Sequence, residues 1–142
     1  MDYLVVVIRL VMTVLLAAII GYEREKRKST KWTAGLRTHM LVGLGAALLT
    51  LISLYGFPES YGALADPGRI VSYIILGIGF IGAGTIMASQ KGVIGLTTAA
   101  SIWLVAAIGI AVALGLYVIA VIVTIIALII LEMWRFEKNP NE

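Results

Sequence analysis

Few side chains in this sequence could do chemistry, and most of them stand at the margins of long apolar runs. Arg9 is the only ionisable residue well inside such a run, and Glu23, Arg24 and Glu25 follow at the end of the same run. An Arg inside a membrane needs a polar or anionic partner, whereas neighbouring carboxylates can bind a hard divalent cation. A solvated surface network of carboxylates and cations is the alternative interpretation of the Glu23–Glu25 group.

His39 stands beside Arg37 and Thr38 at the start of the second apolar run. A structural zinc site takes four His or Cys ligands, and this chain has one His and no Cys. We therefore expect His39 to make a structural hydrogen bond near the membrane interface. Thr97 and Thr98 add hydroxyl groups at the start of a later run, where they could cross-link helices or line a polar cavity.

Asp66 begins the segment DPGRI, which leads into the third apolar run. An Asp directly before Pro67 is typical of a helix N-cap. The same carboxylate could instead pair with Arg9 or Arg69, or act as the candidate ligand of a metal ion. For Arg9 the sequence also leaves two interpretations open: snorkelling to the interface, or a buried partner.

The elements that position these residues are visible as gaps between charges. Residues 92–131 are forty consecutive residues without a charged side chain. A crossing takes about 20 apolar residues, so this run holds two crossings. The sequence predicts an all-α integral membrane protein with five transmembrane helices, which occupy residues 3–22, 38–55, 70–88, 94–113 and 115–134, and a short tail at 135–142.

Basic residues set the expected orientation of these helices. In a five-span arrangement nine of the eleven Lys and Arg residues fall on one side, namely Arg24, Lys26, Arg27, Lys28, Lys31, Arg37, Lys91, Arg135 and Lys138. The positive-inside rule makes that side cytoplasmic, with the N-terminus outside and the C-terminus inside. The net charge of +3 thus follows from topology, and we expect the lipid bilayer, not nucleic acid, as the partner of these charges. Trp32, Trp134 and Tyr22 are expected in the interfacial aromatic belt.

Small residues recur in the second and third runs. The glycines of the third run superficially match a dinucleotide-binding fingerprint, but that motif requires a strand and a soluble βαβ unit. In a membrane helix such residues allow close helix approach. We therefore assign helix packing or an oligomer face to Gly43, Ala47, Gly77, Gly79, Gly82, Ala83 and Gly84. A discontinuous helix that exposes backbone to an ion is a third interpretation.

Five motifs occur in one order: GYERE at 21–25, AGLRTHMLVGLGAALLTLIS at 34–53, DPGRI at 66–70, GIGFIGAGTIM at 77–87 and GLTTAASIWLVAAIG at 95–109. In order and spacing they resemble the MgtC/SapB family of bacterial inner-membrane proteins, from Arg9 to about Leu131. The resemblance implies a multi-pass, five-helix membrane domain linked to growth at low magnesium and to survival of pathogens inside macrophages. It also marks the positions of interest: Arg9, Glu23, Arg24, Glu25, Arg37, Thr38, His39, Asp66, Arg69, Thr97 and Thr98.

The resemblance implies a regulator that acts through protein contacts in the membrane, with a homo-oligomer or a larger complex such as ATP synthase as partner. The alternative is a divalent-cation transporter or channel for Mg²⁺, acting as an oligomer. Mg²⁺ is the candidate ligand, with Asp66 as the proposed metal-binding residue and no cofactor assigned. The sequence lacks the HExxH and GxSxG motifs, so no enzymatic activity is expected. Well-studied relatives continue into an ACT-like cytoplasmic domain, and this chain is expected to be either a short form without it or a piece trimmed to the membrane domain.

Overall fold

A computed structural model describes residues 2–27, 34–57, 66–89 and 92–133. Within these ranges the chain forms five α-helices and one small β-hairpin, as the charge gaps predicted for the helices but not for the hairpin. In chain order the elements are α1 Tyr3–Lys26, α2 Leu36–Tyr55, α3 Pro67–Ala83, β1 Met87–Ser89, β2 Gly92–Ile94, α4 Leu96–Ala113 and α5 Tyr117–Glu132.

Three of the described helices, α1, α2 and α4, are long and apolar enough to cross a membrane. The other two, α3 and α5, are also apolar but have 17 and 16 residues. At about 1.5 Å per residue they are slightly shorter than a hydrocarbon core of about 30 Å. Large apolar side chains cover the outside of the bundle, with Phe80 84% and Leu76 73% exposed. This is the surface of a membrane protein, because such a patch would be unfavourable in water.

The centre of the bundle is α4, which packs against all four other helices. Its side chains Ile102, Val105 and Val112 are fully buried. Helices α2 and α4 approach each other closely, since a Cβ atom built on Gly109 would stand 2.5 Å from the carbonyl oxygen of Gly43. Glycine at this crossing lets the two backbones touch, as small residues do in membrane helix pairs.

The third predicted span, residues 70–88, differs from the structure at its end. Helix α3 stops at Ala83, and the strands Met87–Ser89 and Gly92–Ile94 pair antiparallel, with Met87 opposite Ile94. Gly95 then starts α4 with a φ of +93°, a conformation that favours glycine. Charge gaps could not reveal these strands, because Met87–Ser89 and Gly92–Ile94 are as uncharged as the apolar run of α3 before them.

Candidate functional sites at the two ends of the bundle

One end of the bundle holds a buried polar cluster, which we define as Glu23, Arg24, His39, Thr98 and Ser101. Glu23 is only 8% exposed, and it lies beside two guanidinium groups, with Arg24 at 3.9 Å and Arg27 in direct contact. Arg24 Nη2 also donates to the hydroxyl of Thr98 at 3.3 Å. Because the two cations face a buried carboxylate, the charge of Glu23 is locally neutralised.

His39 connects α2 to α4 within this cluster and is fully buried. Its Nδ1 lies 2.7 Å from the carbonyl oxygen of Gly35, and its Nε2 lies 2.9 Å from Ser101 Oγ. A carbonyl oxygen only accepts, so Nδ1 carries a proton. The Ser101 hydroxyl, which lies against Nε2, also donates to the carbonyl oxygen of Thr98 at 2.8 Å. This is the structural hydrogen bonding that the sequence predicted for His39.

Two further contacts extend the cluster to neighbouring helices. Glu25 Oε2 accepts a hydrogen bond from the backbone N–H of Leu36 at 2.9 Å, at the start of α2. Arg27 pairs with Glu132 at 3.0 Å, at the end of α5. The end of α1 is thereby tied to α2, α4 and α5. Sequence reasoning had not assigned Arg27 or Glu132 to a site, since nothing in their spacing connects them.

The opposite end of the bundle is organised by Arg9. Its guanidinium donates to the hydroxyls of Tyr117 and Tyr55, each at 3.1 Å, and to the carbonyl oxygen of Ala113 at 2.8 Å. This Arg9 cluster joins α1 to α2, α4 and α5. Of the two interpretations of Arg9, the structure shows the one with protein partners, which among the described residues are two hydroxyls and a carbonyl group.

Asp66 is engaged differently from what a pair with Arg9 would require. Its side chain accepts from the backbone N–H of Gly68 at 2.8 Å, and it is the N-cap of α3, with Pro67 in the first turn. The capping interpretation is therefore confirmed. Arg69 follows in the first turn of α3 with an exposed side chain. Within the described residues, the hydrogen bonds of Arg9 go to other groups, and none of them goes to Asp66.

The predicted polar residues do not form a single network. Glu23, Arg24, His39 and Thr98 come together at one end, Glu25 caps α2 beside them, and Arg9 lies at the other end. The remaining predicted residues stay outside both clusters: Arg37, Thr38, Asp66, Arg69 and Thr97. Within the described part of the chain, no three His, Cys, Asp or Glu residues are placed to hold a metal ion.

Tyr22 is exposed beside Lys26, and Trp32 and Trp134 lie outside the described residues.

The predicted glycine faces divide into two kinds. Gly43 contacts Ala17 and Val105, and Gly82 faces Ala99 across the α3–α4 contact. In contrast, a Cβ atom built on Gly77 or Gly79 would meet nothing within 4 Å. Of the two roles predicted for these positions, packing within the chain fits Gly43 and Gly82, and an oligomer face stays the prediction for Gly77 and Gly79. Of the others, Ala47 is buried, whereas Ala83 is exposed and Gly84 forms the C-cap of α3.

The family model described as the MgtC family matches residues 10–139. The chain belongs to the MgtC family. It is 40% identical over 132 residues to YhiD of Escherichia coli K12, whose name describes it provisionally as a magnesium transporter; the match covers 91% of this chain and 60% of that protein.

Two other relatives support the assignment. Protein MgtC of Salmonella typhimurium is 44% identical over 122 residues, covering 86% of this chain and 49% of the relative. Protein SapB of Bacillus subtilis is 38% identical over 116 residues, covering 79% and 49%. The chain thus spans about half to three-fifths of the length of these MgtC-family proteins. No solved structure matches it.

Proposed function

We propose that this MgtC-family chain is a non-enzymatic regulator in adaptation to low magnesium, acting through protein contacts inside the bacterial inner membrane. The observation that carries the proposal is the outward face of α3, which we define as Leu76, Gly79, Phe80 and Ala83. All four residues are exposed, and Gly79 has open space around its Cα. A small residue between large apolar ones lets a partner helix approach closely.

The ion pairs and hydrogen bonds of the carboxylates favour regulation over transport. A pathway for a divalent cation needs oxygen ligands that the ion can reach. Glu23 already faces two guanidinium groups, Glu25 holds the start of α2, and Asp66 caps α3. Each of these three side chains therefore has a structural task in the folded chain.

Transport of Mg²⁺ by an oligomer is the second candidate. The name of the E. coli relative supports it, as does the exposure of Asp66 at the start of α3. An exposed N-cap carboxylate could collect cations at the mouth of a pathway formed between subunits. The regulator is still the better fit, because the exposed face of α3 is built from apolar and small side chains.

Partner capture in intact cells tests the regulator. A photoreactive amino acid at Phe80 should cross-link a membrane protein, and Gly79→Leu should reduce the cross-linked product because its side chain fills the approach. Gly45→Leu is the matched control, since Gly45 is equally uncrowded but lies on α2. Mass spectrometry identifies the product as a second copy, a subunit of ATP synthase or another protein. Equal cross-linking in both variants would contradict the assignment of this face.

Magnesium flux tests the alternative. Wild-type protein and Asp66→Asn are reconstituted into liposomes that contain a magnesium-sensitive dye, with empty vesicles as the baseline. The regulator predicts flux equal to the baseline for both proteins at a clamped potential. Flux above the baseline that falls in Asp66→Asn would establish the transporter and overturn the proposal.

A further inference from the structure

A groove between α2 and α3 lies on a different side of α3 from the outward face. Its volume is about 580 Å³, within the range of about 300–1,000 Å³ that is usual for small-ligand sites. The walls are apolar and include Leu41, Gly45 and Leu49 from α2, with Tyr73, Gly77 and Ile81 from α3. A Cβ atom built on either glycine meets nothing within 4 Å, so there is free space in the groove beside both glycines.

Each end of the groove carries an arginine. Arg37 stands one helical turn before Leu41 on α2, and Arg69 stands one turn before Tyr73 on α3. The chain reverses direction between the two helices, so the arginines mark opposite ends. Both side chains are exposed, and neither forms an ion pair within the described residues. An apolar slot that ends in an exposed cation is complementary to an acyl chain that ends in a phosphate.

The two ends differ in charge. Residues 23–37, which lead to the Arg37 end, contain six basic and two acidic side chains. Residues 56–69, which lead to the Arg69 end, contain one basic and two acidic side chains, and Asp66 caps the helix there. An anionic headgroup is therefore attracted to the Arg37 end and opposed by carboxylates at the other end.

We propose that this groove binds an acyl chain of an anionic phospholipid whose phosphate contacts Arg37. The charge decides between this occupant and a helix of a second copy. An apolar helix would fill the groove but would bring no anionic group to Arg37. A phospholipid fills the groove with its acyl chain and pairs its phosphate with the guanidinium. Basic pockets between membrane helices on the cytoplasmic side bind anionic headgroups in the same way.

Lipid retention by the purified protein tests this site. The protein in mild detergent is equilibrated with equal amounts of phosphatidylglycerol and phosphatidylcholine that carry identical acyl chains, and the bound lipids are counted by native mass spectrometry. We expect about five-fold more bound phosphatidylglycerol, corresponding to about 1 kcal/mol for one basic residue. Arg37→Gln should bring the ratio close to one, Arg37→Lys should restore a preference, and Arg69→Gln should leave it unchanged.

Filling the groove gives a second, independent readout. Gly45→Leu and Gly77→Leu should each lower the total of bound lipid, while circular dichroism confirms that the helices remain. The proposal is overturned if Arg37→Gln keeps the preference, or if lipid counts are the same with the groove filled. It is also overturned if cysteines placed at position 45 of two copies form a disulfide with each other, because a second copy then occupies the groove.

Discussion

An arginine inside a membrane span is stabilised here by a backbone carbonyl and two tyrosine hydroxyls. Arg9 directs its guanidinium at the last carbonyl of α4, that of Ala113, and at the hydroxyls of Tyr55 and Tyr117. The C-terminal carbonyls of a helix carry partial negative charge, so a cation placed there gains energy without a second formal charge in the bilayer. The hydrogen bonds of Arg9 thus hold four helices together at one end of the bundle.

Arg9→Gln should destabilise the bundle by about 1–3 kcal/mol, because Gln cannot reach all three acceptors and a charge-assisted hydrogen bond is lost. The measurement is the unfolding free energy in mixed micelles during titration with sodium dodecyl sulfate. Tyr22→Phe is the control, since the Tyr22 hydroxyl is at the surface and outside the Arg9 cluster. Equal stability of Arg9→Gln and wild type would show that Arg9 does not hold the helices together.

The buried His39 pair gives a second prediction at the same scale. Ser101→Ala should leave Nε2 of His39 without its partner and cost about 1–3 kcal/mol. His39→Ala should cost more, since it also opens a cavity between α2 and α4. In the double variant the two costs should not add, with a coupling of about 0.5–3 kcal/mol. Simple additivity in a double-mutant cycle would show that the two side chains do not interact.

The sequence identified Arg9 and His39 as residues to explain, but it could not supply their partners. Tyr117 lies 108 positions from Arg9, and Ser101 lies 62 positions from His39. These contacts depend on which faces of the helices meet. Those faces cannot be predicted from a single sequence in which all sides of the helices are similarly apolar. The capping of α3 by Asp66 was predictable because it is local, with donor and acceptor two residues apart.

At the level of elements, glycine has two opposite roles in this molecule. Gly43 and Gly109 are buried where α2 and α4 cross, while Gly77 and Gly79 on α3 face open space. The sequence pattern predicted helix packing or an oligomer face for Gly43, Gly77 and Gly79 alike, and it did not single out Gly109. The difference arises because α4 is surrounded by helices, whereas α3 packs mainly against α2 and α4 within the described ranges.

Gly109→Ala should therefore destabilise the bundle and Gly45→Ala should not. The new methyl group at Gly109 would stand 2.5 Å from the Gly43 carbonyl oxygen, which forces α2 and α4 apart at a cost of about 1–3 kcal/mol. At Gly45 no atom lies within 4 Å, and alanine gains helix propensity worth up to about 1 kcal/mol. Unfolding in mixed micelles measures both, and equal losses would mean that the crossing is not tight.

Across the whole molecule, polar contacts are concentrated at the two ends of the bundle. The buried polar cluster holds the end of α1 to the start of α4, and the Arg9 cluster holds the start of α1 to the end of α4. Between them the core is built from apolar residues such as Ile20 and Val105. The helices alternate in direction, so the ends of α1 and α5 and the start of α2 lie together.

Cysteine labelling tests how this bundle sits in the membrane. The chain has no cysteine, so each introduced one reports alone, and exposed positions are available at Lys26, Phe57, Ala88 and Leu116. The basic residues predict that a membrane-impermeant maleimide labels Phe57→Cys and Leu116→Cys in intact cells, but labels Lys26→Cys and Ala88→Cys only after permeabilisation. The inverse pattern would contradict the predicted orientation and leave the fold unchanged. Equal labelling of Phe57→Cys and Ala88→Cys would instead mean that α3, with its 17 residues, does not cross the bilayer.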